Sequence, residues 1–213
     1  NPSSDYPRLY GPLVGRLSAL FHVYIQRNLL VVKCAKSIDQ ESKKNQRRSF
    51  VIPNGIDVKS FSPLENPSKR THLRERLALP KTGCLFLYTG PLIARKNIAC
   101  LIKVFSTLNI SGDHLIILGS GPESVVLRQL ANHHPGIHFR NSVPDVLPYL
   151  RAADYFISAS SDEGLPNSVL EALATGLPVL LSDIPSHREI LERTHNAGVF
   201  FDPQFPQSLS RLI

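Results

Sequence analysis

The chain has 213 residues, 42 % of them hydrophobic, and a formal net charge of +7. That composition is ordinary for a globular protein and gives enough chain for one large domain or one and a half smaller ones. It excludes a bilayer-spanning helix, since no apolar run is long enough, and a disulfide framework, since Cys34, Cys84 and Cys100 form no Cys-x-x-Cys pair and read as reduced core residues.

The chain starts at Asn1 and holds no Met, so a piece of a longer protein is the expectation, and a leader ahead of it stays open. Residues 1–10 are rich in Pro and Ser and read as loop. Leu13, Leu17, Leu20, Phe21, Tyr24 and Ile25 recur at helical spacing, so a helix is expected over 13–26. Residues 29–34 read as a short buried strand and 35–45 as a polar helix. Between Lys33 and Arg48, six basic residues stand against Asp39 and Glu41. Such a run serves a phosphorylated ligand, an anionic membrane or nucleic acid, or is a solvated helix end. No aromatic side chain interleaves with it, and no nucleic-acid partner is expected. Phe50 to Ile52 reads as a strand, stopped by the turn signal Pro53-Asn-Gly55. Residues 1–60 thus look like the tail of one α/β unit. Residues 61–82 are irregular and rich in Pro, with one short helix at 72–79, and are expected to be an interdomain linker.

A second α/β series fills 83–213. Strands are expected at 84–89, 114–118, 137–139, 155–158, 177–181 and 198–201, and helices at 98–108, 123–132, 144–152, just after Pro166, and at 186–193. Strands alternating with helices argue for a parallel, doubly wound sheet.

The strongest chemical signal runs from Ser158 to Ser182: strand end, loop, helix, Gly stop, strand. Glu163 lies in the loop and Glu171 inside the helix. Pro166 suits a first turn, Asn167 or Ser168 can cap it, and Gly176 sits where a helix C′ residue belongs. A loop at the carboxyl end of a strand, feeding a helix start, is where open α/β sheets bind ligands, and helix-start amides favour an anion. The stretch therefore suggests a phosphate or pyrophosphate beside a carboxylate. Glu163 could instead serve the helix dipole alone, and Glu171 could be an exposed helix residue. Yet Leu170, Ala172 and Leu173 flank Glu171, and a lone carboxylate in a nearly apolar helix suits gripping sugar or ribose hydroxyls.

Three further places carry weaker chemistry. Gly90 follows a strand and leads to Arg95 and Lys96; the Gly lets backbone approach a diphosphate and the Arg fork fits its oxygens, although a basic pair in a loop also reads as solvated surface. Gly119-Ser-Gly121-Pro122 is a tight turn without the third Gly of a dinucleotide site, and structural punctuation is an equal reading. His133, His134 and His138 surround a Pro135-Gly136 turn that does not suggest ligation, so no metal is expected.

Taken in order, these motifs resemble those of the family-4 (group 1) retaining glycosyltransferases of the GT-B fold. The segment 163–171 with Ala172 to Val179 resembles the family's E-x7-E region. Asn54-Gly-Ile-Asp57 resembles its NG[VI]D turn, Tyr88 to Asn97 its G-R-x4-K-N loop, and Leu118 to Pro122 its G-x-G-P turn. The resemblance covers about residues 29–203. It implies two Rossmann-like lobes, with 1–60 the end of the N-terminal acceptor lobe and 83–213 a nucleotide-sugar-binding lobe truncated at its C-terminus. By position, Arg95 and Lys96 would hold the diphosphate, and Glu163 would face the donor sugar near its 3- and 4-hydroxyls. Glu171 would grip the ribose, and backbone near Val143 would meet the base. Amides of the span Gly164, Leu165, Pro166, Asn167 and Ser168 would cap the phosphates, above Gly90 and Gly119. The implied reaction is metal-independent, retaining transfer of a hexose or N-acetylhexosamine from a nucleotide-diphosphate sugar, such as a UDP-sugar, to a glycan, lipid-linked or small-molecule acceptor, as in polysaccharide biosynthesis. No cofactor is implied beyond that donor, because positive groups and the helix dipole do the work of a metal.

The chain departs from the family pattern at Pro91, which follows the loop Gly, and at Asn141, which replaces a common Gly. With most of the acceptor lobe outside it, the chain alone is expected not to catalyse transfer. A cytoplasmic location is expected, with a second option in which helix 13–26 and the basic segment dock peripherally on the anionic inner face of a membrane. The reading from another class is a non-catalytic nucleotide- or polyanion-binding module, motivated by the same basic segment.

Overall fold

A computed structural model describes residues 11–28, 31–37, 49–66, 68–107, 112–194 and 196–213. Two compact units divide the chain, residues 1–54 and 55–213. In the first, helix α1 (Pro12–Asn28) precedes strands β1 (Val31–Lys33) and β2 (Ser49–Val51). The strands pair in parallel, Val31 opposite Ser49. The stripe expected on α1 stands out, with Leu13, Leu17, Leu20, Phe21 and Tyr24 exposed. Lys33, which heads the basic run and ends β1, is buried, as expected of the strand at 29–34. The polar helix expected over 35–45 and most of the basic segment lie outside the described residues.

The second unit is built on six parallel strands in the order β5-β4-β3-β6-β7-β8. They are β3 (Leu85–Thr89), β4 (His114–Leu118), β5 (Ile137–Arg140), β6 (Tyr155–Ser158), β7 (Val179–Ser182) and β8 (Gly198–Phe201). Every residue of β3 is buried. Helices cover both faces, so the central strands are apolar throughout instead of alternating. Alternation now decides only the side. Phe86 and Tyr88 pack with Ile98, Leu101, Leu115 and Ile117 on one face; Leu85 and Leu87 pack with Ile116, Leu150, Phe156, Val169 and Leu181 on the other. Each such side chain contributes about 1.5–3 kcal/mol by leaving water, which makes β3 the best-anchored strand.

The segment expected as a linker packs on this unit. Helix α2 (Lys69–Arg76) carries Arg74, buried, whose Nη2 donates to Asp154 Oδ2 at 2.6 Å and whose Nε donates to Ala152 O at 3.0 Å. Arg151 donates to both Ser62 O and Ser62 Oγ at 3.0 Å, and Leu79 enters the core.

The remaining helices are α3 (Ile98–Thr107), α4 (Ser124–Ala131), α5 (Leu147–Ala152), α6 (Asn167–Ala174), α7 (Pro185–Leu191) and α8 (Pro206–Ser210). Helix α5 starts later than the expected Pro144. Asp145 Oδ1 accepts from Leu147 N at 3.0 Å, and Pro148 takes the first turn. Helix α6 has an extended Pro166 at its cap position, ahead of the Asn167 or Ser168 expected there. Its end follows the expectation. Gly176 has φ +77, its N donates to Leu173 O, and Leu177 N donates to Ala172 O, a Schellman stop. Among the described residues, no helix is long and apolar enough to cross a membrane.

Candidate functional site

Strand order reverses between β3 and β6, and loops leaving carboxyl ends on either side of such a point part to leave a crevice. Here the crevice is a cleft of about 660 Å³. Its floor is backbone. Gly90 N donates to Leu118 O at 3.1 Å, Gly119 N to Arg140 O at 3.0 Å, and Leu92 N to Ser120 O at 2.9 Å. The two glycines are so close that a Cβ on Gly119 would stand 1.9 Å from Gly90 O. Beneath them Tyr88 donates its hydroxyl to Pro91 O at 3.0 Å, and burial pushes that phenol's pKa far up, so it stays a donor.

One wall is charged. A 3-10 turn over Ala94–Lys96 docks on the loop after β6, with Ser161 N donating to Arg95 O at 2.8 Å. That docking delivers two cations to one carboxylate. Lys96, only 8 % exposed, pairs with Glu163 Oε1. Arg95 Nη1 donates to Glu163 Oε2 at 2.8 Å and to Asp162 O at 3.1 Å. Ser160 Oγ donates to Glu163 Oε1 at 2.7 Å. The Glu163 side chain is 6 % exposed. Burial alone would raise its pKa. The Lys96 hydrogen bond and charge, with those of Ser160 and Arg95, outweigh burial and hold it below the usual value.

The opposite wall is the start of α6, where Leu165, Pro166, Asn167, Ser168 and Glu171 line the cleft. The cap position of this helix is held by Pro166, which has no side-chain acceptor, and among the described residues no partner pairs with the Glu171 carboxylate. Burial pushes the Glu171 pKa up. The cleft therefore offers a helix start and a buried ammonium toward an anion, with a carboxylate toward hydroxyls.

Lys96, Gly90, Gly119, Val143, Glu163, Leu165, Pro166, Asn167, Ser168 and Glu171, singled out in the sequence, all line this cleft. Arg95 and Gly164 do not; Arg95 lies half-exposed on the outer side of Glu163. Sequence reasoning missed Thr89, Pro91, Leu118, Ser120, Ser142 and Val146 on the lining. It also missed Ser160, Ser182 and His187 behind Glu163, whose signal was available: polar residues inside or beside apolar strand runs. Among the described residues, no cluster of three or more His, Cys, Asp or Glu side chains is placed to hold a metal. His138 Nε2 lies 3.1 Å from His114 Nδ1, near the opposite ends of the strands.

Residues 83–213 match the model of the family described as Glycosyl transferases group 1. A Bacillus subtilis (strain 168) protein named as a teichuronic acid biosynthesis glycosyltransferase, TuaC, is 30 % identical over 185 residues, covering 86 % of this chain and 46 % of that protein. The Escherichia coli UDP-Gal:alpha-D-GlcNAc-diphosphoundecaprenol alpha-1,3-galactosyltransferase is 32 % identical over 146 residues, covering 63 % and 36 %. Among solved structures, Anabaena HepE in complex with UDP-glucose aligns with a TM-score of 0.81 at 20 % identity, over 92 % of this chain and 57 % of that one, a likeness of fold. The chain spans about half the length, or less, of these curated relatives. With its six-stranded parallel sheet matching GT-B enzymes and most of its length matching the family model, the chain belongs to the group 1 glycosyl transferases.

Proposed function

We propose that this chain supplies the donor half of a retaining, metal-independent glycosyltransferase that moves a hexose or N-acetylhexosamine from a nucleotide-diphosphate sugar. The observation that carries this reading is the convergence of Lys96, Glu163, Glu171 and the start of α6 on one cleft. Lys96 and the helix amides hold the diphosphate and take up leaving-group charge without a metal. Glu171 accepts from the ribose hydroxyls, Val143 meets the base, and Glu163 faces the sugar. Arg95 reaches the diphosphate by leaving Glu163 and Asp162.

HepE's complexes with UDP and UDP-glucose support a UDP-sugar donor. Two relatives support a lipid-linked acceptor by their names, the E. coli enzyme acting on a diphosphoundecaprenol sugar and the alpha-monoglucosyldiacylglycerol synthase of Acholeplasma laidlawii. Contact with an anionic membrane fits the exposed apolar residues of α1, a helix whose sequence carries Arg16 and Arg27 and no Asp or Glu.

The test is transfer by the full-length protein. Glu163→Ala and Lys96→Ala each abolish it, while UDP or GDP binding to the chain is measured by calorimetry. Undiminished transfer in both variants overturns the role assignments. The net charge of +7 keeps the polyanion-binding alternative in view; salt-sensitive oligonucleotide binding without nucleotide binding would favour it.

A further inference from the structure

Behind Glu163 runs a row of buried polar groups that the proposed chemistry does not use. Ser158 is 5 % exposed, and Ser160, Ser182 and His187 are 0 % exposed. Ser158 Oγ lies 3.3 Å from Ser160 Oγ. From the neighbouring strand, Ser182 donates its hydroxyl to Ser160 O at 2.6 Å. His187, on α7, turns Nδ1 to Ser182 O at 2.8 Å.

The protons in this row have one consistent arrangement. A carboxylate only accepts, so the single proton of Ser160 goes to Glu163 Oε1. The contact with Ser158 is then a donation from Ser158 to Ser160. Ser182 O also only accepts, so His187 carries its proton on Nδ1. Its Nε2 is left as a buried lone pair without a partner among the described residues. The two oxygens of Glu163 are therefore held differently. Oε1 has buried partners, Lys96 and Ser160, whereas Oε2 has Arg95, half-exposed and exchangeable.

We infer that Ser160 is a positioning residue: its hydroxyl, steadied by Ser158 and set in place by the Ser182 bond to the Ser160 carbonyl, fixes Oε1 so that Oε2 is the oxygen Glu163 turns to a donor-sugar hydroxyl. This rests on the reading of Glu163 as the sugar-side residue. The charged or titratable groups around that carboxylate are Arg95 and Lys96 on the 3-10 turn, Tyr88 on β3 and His187 on α7. Among the described residues, Ser160 supplies a neutral hydrogen bond to the carboxylate itself.

The experiment is a pH profile of kcat for the full-length enzyme. Ser160→Ala lowers kcat about tenfold or more, as loss of a hydrogen bond to a charged group does. It also moves the acid limb to higher pH, because the carboxylate loses a stabilising donor. Ser160→Thr restores both; Ser160→Cys, with similar volume and a weak donor, shifts the limb like Ala and replaces it if Ala fails to fold. UDP affinity stays unchanged in all three. Wild-type kcat and an unshifted limb in Ala or Cys overturn the inference, as does a Thr variant that behaves like Ala. Glu163→Gln separates the two readings. If it is inactive while Ser160→Ala is normal, only the Ser160 role falls; if it transfers at the wild-type rate, the sugar-side role of Glu163 falls and this inference with it.

Discussion

Glu163 and Glu171 line the same cleft, yet one is ringed by donors and the other is half-buried with no partner among the described residues. Two cations and a serine hydroxyl hold Glu163 in a single pose before any ligand arrives. Glu171 has burial without a partner, a cost the fold carries. The difference teaches where each group's work lies. A carboxylate already satisfied by the protein is a positioned group, whose ligand must displace or join existing partners. A carboxylate left unsatisfied is open to its ligand and gains most when hydroxyls reach it.

The most severe way to break this contrast is Lys96→Ala. It strands a buried carboxylate, so the chain should lose about 3–5 kcal/mol in urea unfolding, and transfer by the full-length enzyme should fall with it. An unchanged midpoint would mean that Glu163 is no more pinned than Glu171. Glu171→Gln is the opposite experiment. It removes a half-buried charge that has no partner among the described residues, so stability should hold or rise, while nucleotide affinity by calorimetry falls about tenfold.

A pH series sharpens the contrast further, because the two carboxyls shift in opposite directions from the ordinary value of 4.5. Glu163 is lowered in the fold, so its contribution is full above 4.5 and is lost as pH falls through the lower folded value. Glu171 is raised, so its contribution is full below 4.5 and is lost as pH rises through the higher folded value. Urea unfolding from about pH 3 to pH 7 should therefore show Glu163→Gln flattening the acid side and Glu171→Gln flattening the other. The smallest effect belongs to Arg95→Ala. It shares the carboxylate with Lys96 but is 48 % exposed, so its loss should cost under about 1 kcal/mol.

Much of this was legible in the sequence because it is local. The strands of the second unit declare themselves by short apolar runs, and the Gly176 stop by one residue type at one offset. Glu163, Lys96 and Glu171 stood out as charges in loop or apolar settings. What stayed hidden depends on partners far away in the chain. Lys96 and Glu163 are 67 positions apart, and Arg74 reaches Asp154 across 80. That second pair is why the Pro-rich segment before β3 looked like a linker and is packed instead. The outward lie of Arg95 follows from the 3-10 turn that separates it from Lys96, since adjacent residues on such a turn point different ways. Ser182 and His187 act through strand neighbours whose register no local pattern encodes.

The bare floor between Gly90 and Gly119 has a consequence for how such a cleft can change over time. A side chain placed on Gly119 would collide with backbone, so the fold would suffer before any ligand was tested. The floor is thus a fixed datum that reads no chemical detail. Discrimination among ligands is left to the walls, where Ser120, Ser142 and Val143 face the helix start of α6. Divergence in this lineage should accumulate there, around a base that selection on stability alone keeps bare.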